Sequence, residues 1–111
     1  MDKNSFALKP PMGWNSYDCF GHAVDEYEFK QNVDYVATNL KEYGWEYCIV
    51  DFCWSYPVKS EIYAPSQKFE NGRFDVELWL DEYGKPIPAP TKFPNANGSF
   101  KYLADCIRDW G

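Results

Sequence analysis

Histidine is almost missing: His22 is the single one in 111 residues. The four cysteines, Cys19, Cys48, Cys53 and Cys106, form no Cys-x-x-Cys pair. Both shortages argue against a zinc site, which needs clustered donors of those types. No metal or other cofactor is expected from the residues present. Basic side chains are scarce, 11 against 17 acidic ones, for a formal net charge of −6. A nucleic-acid surface wants the opposite balance. No apolar run approaches the ~20 residues of a membrane-spanning helix, so no membrane partner is expected. The opening, Met1-Asp2-Lys3-Asn4-Ser5, lacks the apolar stretch of a secretory signal. The expected compartment is therefore cytoplasmic, or secreted or periplasmic if a signal has been removed. Without a signal, the thiols read as mostly buried, with a Cys19–Cys53 bridge left open.

What is present is apolar and aromatic. A hydrophobic fraction of 45% is too high for a disordered chain. Nine Tyr, eight Phe and five Trp are many for this length, which allows one small domain. Aromatics at that density fill cores, and they also make platforms for sugar rings.

Pro10 and Pro11 keep the lead-in extended. Residues 12–15 then read as a short buried strand, with Gly13 permitting close backbone approach. Asp25 and Glu28 have capping-box spacing. Phe29, Val33, Val36, Ala37, Leu40 and Tyr43 follow at steps of three and four, predicting a helix over 26–43 with Gly44 as its left-handed cap. Residues 45–51 read as a second buried strand. Strand, helix and strand with short joints make a parallel βαβ unit. Residues 57–95 hold six prolines, turns at Asn71-Gly72 and Tyr83-Gly84, and no helical period. Such a connection is far longer than the usual ~2–6 residues, and long loops after strands often carry function. Phe100, Leu103, Ile107 and Trp110 predict a last helix starting near Ser99. The order is strand, helix, strand, long loop, helix. A chain of that order stops in mid-architecture and reads as the first part of a larger α/β protein.

Asp51 stands at the C-terminal end of the second strand, where α/β barrels place ligand-contacting residues. A turn or capping Asp is the plain alternative. Trp54, Tyr56 and Pro57 follow it; Tyr17 and Phe20 follow the first strand on the same expected face. Asn15 and Ser16 are expected to tie down the turn there rather than to bind a ligand. Asp18 and Asp25 read as surface or capping residues, and Asp75, Glu77, Asp81 and Glu82 as a solvated acidic face. A glycosidase needs two carboxyl groups, and Asp51 alone does not supply the pair.

Pro10-Pro11-Met12-Gly13-Trp14-Asn15-Ser16-Tyr17 resembles the opening motif of melibiase-type α-galactosidases, glycoside hydrolase family twenty-seven. Tyr43-Gly44-Trp45-Glu46-Tyr47 with Val50-Asp51-x-x-Trp54 resembles that family's second strand. Gly84-Lys85-Pro86-Ile87-Pro88 with Lys92-Phe93-Pro94 resembles its approach to the next helix, and Phe100-Lys101-Tyr102-Leu103-Ala104-Asp105 the start of that helix. The resemblance implies that residues 1–111 are a partial (β/α)8 catalytic barrel, an α/β fold truncated before its third strand. It implies a retaining glycosidase acting on a terminal α-linked sugar, with nucleophile and acid/base aspartates beyond Gly111. No residue here is then catalytic, and the fragment alone is expected to be inactive and poorly soluble. It also implies substrate-binding roles: Tyr17 against the sugar ring, Asp51 gripping hydroxyls, Trp54 walling the pocket. Phe52 departs from the family, standing where a second acid belongs, and Cys19 lies earlier than the family's cysteine, with His22 near that place. Two other readings stand beside this one: a free-standing carbohydrate-binding module, and a small structural α/β domain whose aromatics are all core.

Overall fold

A computed structural model describes residues 5, 7–56 and 78–109. In chain order these form strand β1 (Gly13–Asn15), the one-turn helix α1 (Tyr17–Phe20), helix α2 (Glu26–Asn39), a 3-10 turn (Lys41–Tyr43), strand β2 (Tyr47–Ile49) and helix α3 (Lys101–Asp109). The two strands run parallel, with Gly13 opposite Tyr47, Trp14 opposite Cys48 and Asn15 opposite Ile49. A βαβ unit is what the sequence leads one to expect. The Asn71-Gly72 hairpin, Pro57 and the acids Asp75 and Glu77 lie outside the described residues, as do Trp110 and Gly111. Among the described residues no helix is long and apolar enough to cross a membrane.

The expected capping box opens α2. The Asp25 carboxylate accepts from the Glu28 N–H at 2.8 Å, and Glu28 accepts from the Asp25 N–H at 3.0 Å. Two of the orphan donors at the helix start are thereby satisfied. The helix ends earlier than the predicted 43. After Asn39 the chain tightens into the 3-10 turn and stops at Gly44, whose φ of 91° is left-handed. Tightening of this kind pairs carbonyls that a full α turn would leave open. Tyr43, placed on the apolar stripe by spacing, is consequently turned out and exposed. The helix α1 has no periodic signature, being a single turn, and spacing does not predict it.

Phe29 and Val33 of α2 pack with Val24, Phe93, Ala96 and Leu103 in one buried cluster. Trp14, Cys48 and Val50 reach this cluster from one face of the strand pair, and Trp14 lies edge-on to Phe20 and tilted against Phe29, 6.3 and 5.6 Å between centroids. Both strands are expected to be buried; the structure covers only one face of the pair. Tyr47 and Ile49 are 53% and 47% exposed. Their face alternates away from the helices and lies open to solvent among the described residues. The thiols correct a second expectation: Cys53 alone is buried, Cys48 and Cys106 are half-buried, Cys19 is exposed, and all four are free.

The stretch before α3 is held by its backbone rather than by regular structure. Ala89 N–H bonds the Trp54 carbonyl and Trp79 N–H the Ser55 carbonyl, both at 2.9 Å. Asp81 organises the turn at Tyr83-Gly84, its carboxylate accepting from the N–H groups of Tyr83 and Lys85. Rings then stack inward, Phe100 edge-on to both Phe93 and Trp54 at 5.1 and 5.3 Å.

Candidate functional site

Parallel pairing brings the C-terminal ends of β1 and β2 side by side. The Ser16 N–H continues the ladder to the Ile49 carbonyl at 3.1 Å. Ser16 is fully buried, and its hydroxyl accepts from the Asp51 N–H at 3.0 Å. The two strand exits are thus fixed to each other one residue beyond the sheet.

An open hollow lies over this junction, lined by Asn15, Tyr17, Asp18, Asp51 and Phe52. Tyr17 is 44% exposed and Phe52 38%, so each presents part of a ring to solvent. The Asp51 carboxylate has a donor on each oxygen: Phe52 N–H on Oδ1 and the Asn15 amide Nδ2 on Oδ2, both at 2.6 Å. The Phe52 N–H, then the Asn15 amide, hold its carboxyl below the ordinary carboxylate value against a smaller opposing effect of desolvation. The result is an anionic hydrogen-bond acceptor beside two aromatic surfaces.

Of the three expected sugar contacts, Tyr17 and Asp51 share this hollow. Trp54 does not line it; its ring packs on Phe100 and the buried cluster. Asn15 and Ser16 tie down the turn as expected, and both also reach across to Asp51. Asp18 lines the hollow, and Asp25 serves α2 as its cap.

Spacing gives no hint of Lys92. It is 1% exposed, and its ammonium donates to the carbonyls of His22 at 2.9 Å and Cys53 at 2.8 Å. A lysine in a proline-rich loop reads as solvated, and only its place in the Lys92-Phe93-Pro94 motif singles it out. Cys53 follows Phe52 with a φ of 67°, a left-handed backbone that side chains seldom adopt. Burial pushes its thiol up to about 11, the Lys92 charge acting weakly the other way. Such a thiol is a packing group and a poor nucleophile. Among the described residues no cluster of His, Cys, Asp or Glu could hold a metal ion.

No family model matches the chain. Among curated proteins, an α-galactosidase of Torulaspora delbrueckii is 33% identical over 94% of this chain, which covers 17% of that enzyme. An α-galactosidase of Schizosaccharomyces pombe is 28% identical over 97% of this chain, which covers 28% of it. Among solved structures, a family twenty-seven β-L-arabinopyranosidase of Geobacillus stearothermophilus in complex with arabinose superposes with a TM-score of 0.82 at 45% identity, covering 100% of this chain and 24% of that one. The α-galactosidase I of Mortierella vinacea superposes at 0.69 with 27% identity, covering 98% of this chain and 22% of its own. The chain therefore spans less than a third of the length of these relatives.

Proposed function

We propose that this chain, similar over nearly its whole length to the N-terminal part of melibiase-type enzymes of glycoside hydrolase family twenty-seven, is the sugar-gripping first portion of a retaining (β/α)8 glycosidase. On this reading residues 1–111 supply the first two barrel strands, and later strands supply the catalytic aspartates. The chain alone turns over no substrate. One observation supports the reading above the others: Asp51 and Tyr17 stand together at the C-terminal ends of adjacent parallel strands, around one open hollow. That is the face on which barrels of this kind bind substrates. A fixed carboxylate takes sugar hydroxyls by charge-assisted hydrogen bonds, and a partly exposed ring takes the apolar face of the pyranose.

Phe52 narrows the substrate. An α-D-galactopyranoside and a β-L-arabinopyranoside carry the same arrangement of ring hydroxyls and differ by the exocyclic hydroxymethyl group. An apolar ring beside Asp51 offers that extra hydroxyl no acceptor, which favours the pentose. The test is hydrolysis of p-nitrophenyl β-L-arabinopyranoside and α-D-galactopyranoside by the full-length protein that carries this chain, with Asp51→Ala beside it. Turnover of either glycoside, preferring the arabinoside and abolished by Asp51→Ala, is the expected result. Hydrolysis of neither, or an Asp51→Ala enzyme with unchanged KM, overturns the reading.

A further inference from the structure

A single side-chain amide connects the two proposed sugar contacts. Asn15 Oδ1 accepts from the Tyr17 N–H at 2.8 Å, while its Nδ2 donates to Asp51 Oδ2 at 2.6 Å. A turn needs only the first bond. The second crosses from the end of β1 to the end of β2, 36 residues on. The geometry demands a donor and an acceptor on two separate atoms at the tip of a short side chain, a combination that asparagine provides and that ionised aspartate, the single hydroxyl of serine or leucine does not.

The bond also matters to the carboxylate. A short acid on a strand exit can rotate about its side-chain torsions. With the Phe52 N–H on one oxygen and the Asn15 amide on the other, the carboxylate plane is fixed at both ends. Each oxygen still has a lone pair for a sugar hydroxyl. We propose that Asn15 is a positioning residue for sugar recognition, locking the plane of the Asp51 carboxylate to the backbone of Tyr17. This rests on the sugar-binding reading above. Asn15 acts through Asp51 and Tyr17, and no direct contact with sugar is required of it.

The experiment is steady-state kinetics of the full-length protein on the two p-nitrophenyl glycosides across pH, for the wild type, Asn15→Ala, Asn15→Asp and Asp51→Asn. Asn15→Ala should lower kcat/KM about tenfold or more, mainly through KM, as expected for one lost hydrogen bond to a charged group. It also removes a donor that favours the ionised carboxylate, so the acid limb of kcat/KM should move to higher pH. Asn15→Asp is nearly isosteric and sets two carboxyl groups against each other. That pair shares one proton at acid pH, so this variant should recover as pH falls and lose activity towards neutrality. A packing defect has no such pH signature. Folded variants with wild-type KM and wild-type pH profiles overturn the inference. Should Asn15→Ala fail to fold, Asn15→Asp carries the test. If Asp51→Asn leaves KM unchanged, the sugar-binding reading itself fails. If Asp51→Asn raises KM while both Asn15 variants match the wild type, the positioning role alone fails.

Discussion

Gly13 stands opposite Tyr47 in the parallel pair, so close that a methyl group added to it would lie 2.5 Å from the Tyr47 carbonyl oxygen and 2.6 Å from its Cβ. The obstruction is largely backbone, which cannot swing aside as a long side chain does. Gly13→Ala must push the strands apart and with them the exits that carry Tyr17 and Asp51. The expected cost is about 1–3 kcal/mol, as for other overpacked sites. Urea unfolding reads it as a lower midpoint, and a wild-type midpoint would show that the strands yield without strain.

Lys92 invites the opposite experiment, removing a group rather than adding one. Lys92→Met keeps the length of the buried stem and deletes the ammonium that serves the His22 and Cys53 carbonyls. Carbonyls that lose a buried donor cost about 1–3 kcal/mol each. The variant should unfold at clearly lower denaturant, and Lys92→Arg should not restore the wild type, because a planar fork cannot replace a compact ammonium there. Stability equal to the wild type in Lys92→Met would mean that neither bond contributes.

Cysteine reactivity should follow burial. With its thiol near 11, Cys53 is ionised to about one part in a thousand at pH 8. Cys19 is exposed. Brief iodoacetamide treatment of the folded protein, followed by peptide mass spectrometry, should modify Cys19 first and leave Cys53 unmodified until denaturant is added. Early labelling of Cys53 would contradict the packing of the Phe52–Trp54 corner.

Phe52→Asp should change substrate preference. It places a second acceptor beside Asp51, within reach of a group at the hollow's rim, without touching the buried cluster. The ratio of kcat/KM for the galactoside over the arabinopyranoside should rise about tenfold or more. An unchanged ratio would remove Phe52 from the account of specificity.

Features that depend on near neighbours in sequence are legible in it. Asp25 and Glu28 announce the start of α2, and Gly44 the left-handed end of the 3-10 turn that follows it, because caps are local chemistry. Gly13 announces a close approach, although not what approaches. The shortness of α1 hides it from any periodic test. Lys92 is hidden for a different reason: whether a lysine is buried depends on carbonyls 70 and 39 residues away, which no local pattern records. The link from Asn15 to Asp51 is of the same kind. Residue spacing places each at a strand exit, while their meeting follows from the register of the two strands. The half-exposed strands follow from tertiary context as well, since an apolar run looks alike whether one face or both are covered.

The Lys92 ammonium has a mechanical consequence. His22 belongs to the segment leaving the first strand and Cys53 to the corner leaving the second, and one charge holds both. Swinging either segment alone would strip an ammonium of a hydrogen bond in a place water does not reach, so the two travel as one plate. Tyr17 and Asp51 ride on that plate at a constant spacing. On the proposed sugar-binding reading, entry and exit of a sugar are then governed by other walls, and Lys92, which does not line the hollow, sets the distance between the two proposed contacts.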